Sequence, residues 1–429
     1  MNKRFQLLPI ALLIPVLLIS ACGESKVVQS KLERIAEPNA AAANVNDLVA
    51  GNTVFSFDLY QAARASDGNL VYSPYSISLA FAMVYGGAAG ETARQMADVL
   101  HYNLPSEQLH PALNALDLAL TNRPNQSAGV PEKDRFQLSI ANSTWAQQDY
   151  SFLPTYLDLV ALNYGASIHL VDFRNAAEQA RKQVNDWVSE RTNKRIQDIL
   201  PIGSVDPRTA LVLANAIYFK AQWEAEFDAG FTSPGPFHLL DGSTVDVPMM
   251  QKHPEENYAY TEGDGWQAVS LPYKGGLADM IILLPELGTF KDFEASLTAE
   301  KYQQIVSTLQ SQTVILSLPK FQFDARLGLK DALVGMGMQD AFTENVADLS
   351  GMDGTHLLYL SDAFHKAFIA VDEKGTEAAA ATAAIAVPAS MPSGADMQID
   401  RPFLFFIRDV PSGTILFMGS VLDPREQPQ

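Results

Sequence analysis

Cysteine is nearly absent. The 429-residue chain has one, Cys22, which excludes a disulfide framework and a cysteine-based metal site. Basic charge is scarce too: 30 Lys and Arg stand against 49 Asp and Glu, a formal charge of −19, and no basic run is available to neutralise phosphates. A nucleic-acid partner is therefore not expected. The seven histidines never fall as His-x-x-x-His, and neither G-x-S-x-G nor a phosphate loop is present. These gaps remove the common signatures of zinc hydrolases, serine hydrolases and nucleotide enzymes, and no cofactor or metal is implied. Ser317 and Lys320 do keep the S-x-x-K spacing of an acylating serine. Such a serine opens a helix, however, whereas Ser317 lies inside "TVILSLPKFQF", an alternating strand-like run. The chain does not read as an enzyme.

Long apolar runs are also missing, except at the start. Lys3 and Arg4 precede Leu7–Ile19, about thirteen residues, against the roughly 20 that a membrane-spanning helix needs. Residues 1–21 read as a signal peptide. "LISAC", Leu18–Cys22, resembles a bacterial lipobox, with the lone cysteine at the cleavage position and Gly23 after it. The expectation is a lipid on Cys22 and an outer-membrane lipoprotein of the cell envelope, facing either the periplasm or the exterior. Residues 22–44 are charged, Ala- and Asn-rich and without periodicity, as in a tether, and the folded domain is expected over 45–425.

With 47% apolar and 18% charged residues that domain can bury a large core. "SPYSISLAFAMVYGGAAGETARQMADVL", "YLDLVALNYGA", "AEQARKQVNDWVSERTN" and "LGLKDALVGMG" carry helical spacing, with Ser73 and Pro74 forming a helix start. "FQLSIANSTWAQ", "TALVLANAIYFKAQW", "DMIILLP", "TVILSLPKFQF" and "LYLSDAFHKAFIAVDE" read as strands. The irregular alternation, with no repeat and no internal linker, predicts one large α+β domain.

One stretch departs from this pattern, "EKGTEAAAATAAIAVPASMPSG" from Glu373 to Gly394. Drawn as a strand, it places Thr376, Ala378, Ala380, Thr382, Ala384 and Ala386 on one uniformly small face, with Glu377, Ala379 and Ala381 on the other. No proline interrupts it before Pro388. It could be a flexible surface loop, because alanine is a poor strand former. It could also be a conditional strand, exposed in one state and inserted in a sheet in another. Composition alone does not choose.

The neighbouring residues do. "HKAFIAVDEKGTEAA", "RPFLFFIRD", "ILFMGSVLDP", "QVNDWVSERTNKRIQDIL", "LANAIYFKAQWEAEFD" and "LPKFQFD" resemble the serpin family, in order and over about residues 45–425. The resemblance implies three β-sheets, eight or nine helices and an exposed reactive-centre loop at about 374–395. It implies a monomeric serine protease inhibitor that acts as a suicide substrate: the protease forms an acyl-enzyme, and the hinge then inserts into the main sheet. The hinge would be Glu373, Gly375, Thr376, Glu377, Ala378, Ala379, Ala380, Ala381 and Thr382. Counting as the family counts puts the reactive bond at Ala389–Ser390, with Ala386, Val387 and Pro388 in the preceding subsites. A methyl group in the primary pocket suits an elastase-like enzyme. Ser73, Ser76, Asn215, His365 and Trp223 match positions where the main sheet opens. Family members often carry a basic residue after "LPxxG" to pair with the hinge glutamate; "LPELGTFKD" has Thr289 there, with Lys291 two places on, which leaves Glu373 without its expected partner. Two other readings remain: a serpin cleaved without trapping its protease, and an envelope lipoprotein binding small solutes.

Overall fold

The computed structural model describes residues 25–64, 68–252, 256–376 and 394–426. Ten α-helices lie among them: α1 (Ala42–Ala63), α2 (Pro74–Tyr85), α3 (Gly90–Leu100), α4 (Ser106–Asn122), α5 (Pro154–Tyr164), α6 (Phe173–Arg191), α7 (Phe290–Ala295), α8 (Ala299–Ser307), α9 (Leu329–Met336) and α10 (Ser350–Asp353). The first strands are β1 (Lys26–Val28), β2 (Leu70–Tyr72), β3 (Gln137–Gln147), β4 (Ile168–Val171), β5 (Leu211–Gln222), β6 (Ser233–His238), β7 (Thr244–Gln251), β8 (Asn257–Gly263) and β9 (Trp266–Pro272). They are followed by β10 (Ala278–Pro285), β11 (Gln310–Pro319), β12 (Phe321–Gly328), β13 (Leu360–Asp372), β14 (Gly375–Thr376), β15 (Ala395–Gln398), β16 (Phe403–Asp409) and β17 (Ile415–Val421).

The main sheet runs β1-β4-β3-β5-β14-β13-β12. A second runs from β2 through β17, β16, β10, β9 and β8 to β11, and a third pairs β6, β7, β11 and β15. The three expected sheets are present, the last two sharing β11. That strand pairs with β8 over Gln310–Thr313, with β15 over Val314–Ser317 and with β7 over Ser317–Pro319. The helices number one more than the upper expectation, because α7 and α10 have only six and four residues. "TVILSLPKFQF" is two strands rather than one, broken after Pro319, which has no N–H to continue a ladder.

Local rules explain the elements around the seam described below. β5 is buried without interruption from Leu211 to Phe219, as a strand covered on both faces must be. α2 begins where Ser73 Oγ accepts from the Ser76 amide at 3.1 Å and Pro74 needs no donor. It is buried along Pro74–Val84, so it is an interior helix rather than an amphipathic one. One face of the main sheet joins the large core with α1 and α2; the other packs Trp145, Val212, Phe364 and Phe368 against Val184 of α6 and Ile196 beyond it.

The expected tether is shorter than 22–44. From Lys26 the chain pairs with β4, and Ile35 N–H donates to Leu162 C=O at 2.9 Å. Arg34 reaches Asn114 at 2.8 Å and Asp117 at 2.7 Å, and α1 starts at Ala42. A three-residue strand without alternation leaves no periodic signal, although backbone pairing to an open edge is enough to hold it.

Candidate functional site

β5 and β13 run parallel and pair from Leu211–Leu360 to Ile217–Ala367. Beyond that point the two strands do not pair with each other, and among the described residues no strand lies between 218–220 and 368–370. At the upper end β14 fills the seam: Gly375 pairs with Gln222 and Asp372, and Thr376 with Ala221 and Val371. Gly375 and Thr376 thus form a short strand between β5 and β13, antiparallel to both neighbours. Glycine is required here because a Cβ on Gly375 would lie 2.0 Å from the Ala221 carbonyl oxygen. Thr376 is buried, and its hydroxyl shares a 2.7 Å hydrogen bond with the Tyr273 hydroxyl.

The turn into the hinge is tied down from several directions. Asp372 Oδ1 accepts from the amides of Lys374 at 2.8 Å and Gly375 at 3.2 Å. Trp223 is buried under this turn. Its indole N–H donates to Asp372 C=O at 3.0 Å, and its ring stacks on Tyr273 with centroids 4.6 Å apart. Trp223 N–H and Phe227 N–H donate to the carbonyls of Lys374 at 2.8 Å and Glu373 at 2.7 Å. Glu373 does have a cation: Lys320 Nζ, from "LPKFQFD", lies 2.7 Å from Oε2, and Thr232 Oγ1 donates to Oε1 at 2.8 Å. The basic residue missing after "LPELG" is thus replaced by Lys320, while Lys291 reaches Glu294. Burial alone would raise the Glu373 pKa, but the bonds from Lys320, the backbone and Thr232 outweigh it and hold the carboxyl below its usual range.

At the lower, closed end of the seam the structure brings Ser73, Ser76, Asn215 and His365 together. His365 is fully buried, and its pKa falls to about 3 because burial disfavours the charged imidazolium. The ring is neutral at ordinary pH. Its Nε2 accepts from the Ser73 amide at 3.1 Å, which leaves the proton on Nδ1 to be donated to Asn215 Oδ1. Asn215 Nδ2 then donates to Ser76 C=O at 3.0 Å and to Ser76 Oγ at 2.5 Å. Oδ1 of Asn142, the direct partner of Asn215 across β3 and β5, is a third acceptor that shares the two amide hydrogens with them. Asn142 was not singled out from the sequence. Its signal is an amide inside the apolar strand "FQLSIANSTWAQ", where a polar residue needs a buried partner. This cluster links α2 to three strands of the main sheet through a connected hydrogen-bond network.

The segment after α6 clasps the sheet face over β12 and β13. Arg326 donates to Asp198 C=O at 2.7 Å, and Lys366, paired with Asp324 at 2.6 Å, donates to Gln197 C=O at 3.3 Å. The remaining hinge residues Glu377 to Thr382, the subsites Ala386, Val387 and Pro388, the reactive bond Ala389–Ser390, and Cys22 lie outside the described residues. Among the described residues no cluster of His, Cys, Asp and Glu could hold a metal, and no helix is long and apolar enough to cross a membrane.

A family profile described as Serpin (serine protease inhibitor) matches residues 50–424. A serpin-like protein of Thermococcus kodakarensis is 40% identical over 375 residues, 87% of this chain and 84% of that one. Leukocyte elastase inhibitor A of Mus musculus is 37% identical over 389 residues, 89% of this chain and all of the mouse protein. Among solved structures, the native state of the thermophilic serpin tengpin superposes with a TM-score of 0.81 at 28% identity, covering 93% of this chain and all of that one. Sequence, sheet order and seam geometry agree, and the chain belongs to the serpin family.

Proposed function

We propose that the protein is not an enzyme but a suicide substrate for serine proteases, elastase-like ones above all. The observation that carries this reading is β14, where Gly375 and Thr376 already pair with both β5 and β13 at the upper end of the seam. A protease serine attacks Ala389, releases the amine at Ser390 and forms an acyl-enzyme. Strand formation then continues from Thr376 down the seam. Twelve residues from Thr376 to Val387, at about 3.3 Å each, carry the acyl bond on the order of 40 Å. Displacement of that size removes the alignment that deacylation needs. The small face beginning with Thr376, Ala378 and Ala380 can enter a packed sheet without overfilling it. Relatives whose printed names are leukocyte elastase inhibitor, together with alanine at position 389, support an elastase-like target.

The test is to mix the protein with pancreatic elastase and separate the products on a denaturing gel. A covalent band at the summed mass less the released C-terminal fragment is expected, and that fragment should begin at Ser390. A clipped chain alone would mean cleavage without trapping. We also propose that Cys22 carries a lipid that holds the protein at the cell envelope. Replacing Cys22 with Ser should then release the protein from the membrane fraction.

A further inference from the structure

β3 has an edge that the sheet does not use. It pairs with β5 over Gln137–Ala146, yet on its other side β4 begins only opposite Thr144. Leu138 to Ser143 amounts to about 20 Å of strand at roughly 3.3 Å per residue. Among the described residues, no backbone hydrogen bond reaches the outward N–H and C=O groups of this stretch. One strand further out, the chain covers its own edge, with β1 closing β4. The β3 edge instead opens into a cleft of about 740 Å³, a size typical of ligand sites.

The two walls of this cleft differ. Residues 138, 140 and 142 share one face of β3, where Ile140 lines the cleft beside Leu79 and Met83 of α2. Residue 139 belongs to the opposite face, with Trp187 and Arg191 of α6. Arg191 lies 4.0 Å over the Trp187 ring, is exposed, and has no carboxylate partner among the described residues. The indole Nε1 of Trp187 is buried with no hydrogen-bond partner. The other arginine of the cleft, Arg34, is neutralised by Asp117.

We propose that this cleft binds an extended peptide segment of a partner protein, which adds to β3 as a strand. Only another backbone offers donors and acceptors in the alternation that a free edge demands. Because strand side chains alternate, the segment would direct apolar residues toward Leu79, Met83 and Ile140 and an acidic residue toward Arg191. The site is separate from the β5–β13 seam, with β5 lying between them, and does not depend on the inhibitory reading. Asn142 forms part of the cleft floor, so a docked strand would abut the cluster that holds β3 to β5.

The probe is the acetylated, amidated peptide Val-Thr-Val-Glu-Val-Thr, titrated by calorimetry against the intact protein. Submillimolar binding is expected, with slowed amide exchange in residues 138–143. N-methylation of alternate peptide residues in the register facing β3 should weaken binding at least tenfold, and in the other register should leave it unchanged. Arg191→Gln should weaken it about fivefold without altering circular dichroism. Three outcomes would overturn the proposal: indifference to both methylation registers, protection at 218–220 and 368–370 instead of at β3, or equal displacement by dodecanoate, which would make the cleft a lipid site.

Discussion

Three side chains concentrate the consequences of the seam. Thr376 is buried between two strands with its hydroxyl on Tyr273, so Thr376→Arg would force a long charged side chain into a packed seam, at a cost of several kcal/mol. The expected outcome is conversion from inhibitor to substrate: on the gel with elastase, the complex band gives way to the clipped chain. Ala389→Arg should redirect inhibition toward trypsin-like enzymes, which is read by comparing association rates with trypsin and elastase. His365 sets a pH dependence. Its folded pKa of about 3 lies below the ordinary 6.5, so the unfolded chain takes up the proton first as pH falls. Stability is full above about pH 6.5 and declines by about 1.4 kcal/mol per unit down to about pH 3. Between pH 7 and 4.5 the urea transition of the wild type should therefore lose about 3 kcal/mol more than that of His365→Gln. The difference isolates His365 from His110 and His169, which burial also depresses, each to about 4. His365, Asn215, Ser73 and Ser76 were singled out through the resemblance to the serpin pattern. Lys320 was not, because a lysine's partner depends on which strands adjoin, and β12 meets the hinge only through the fold of β13.

Among the elements, the long strands and helices announced themselves by periodicity, whereas the pieces that tie them together did not. β13 and β5 read as strands from their apolar runs, yet nothing in those runs says that they stay paired only as far as Ile217 and Ala367. The register comes from the whole sheet. In the same way, β1 and residues 29–41 read as a tether because their contacts are individual: Ser30 to Asp158, and Arg34 to Asn114 and Asp117. Arg34→Ala removes the cation from Asp117, a buried carboxylate whose other partner is the Tyr75 hydroxyl at 3.1 Å. We expect the first urea transition to fall by about 1–3 kcal/mol, the range for leaving a buried polar group short of partners. A change below about 0.3 kcal/mol would mean that the segment adds nothing to the fold.

For the molecule as a whole, the inhibitory reading requires a native state less stable than its cleaved product. Eleven new strand residues, 377–387, at about 1 kcal/mol per net backbone hydrogen bond, contribute on the order of 10 kcal/mol. For a chain of this size that corresponds to about 12 °C. After cleavage within residues 377–393, scanning calorimetry should show the transition rising by at least that amount; an unchanged transition would remove the driving force for trapping. The N-terminal segment has a consequence at this scale as well. Since the chain is stitched to the sheet edge from Lys26, an acyl group on Cys22 would stand only about 14 Å of chain away. A body moored on so short a line rests against the lipid headgroups and does not sample the aqueous space around it, so a captured enzyme would end its journey beside the bilayer.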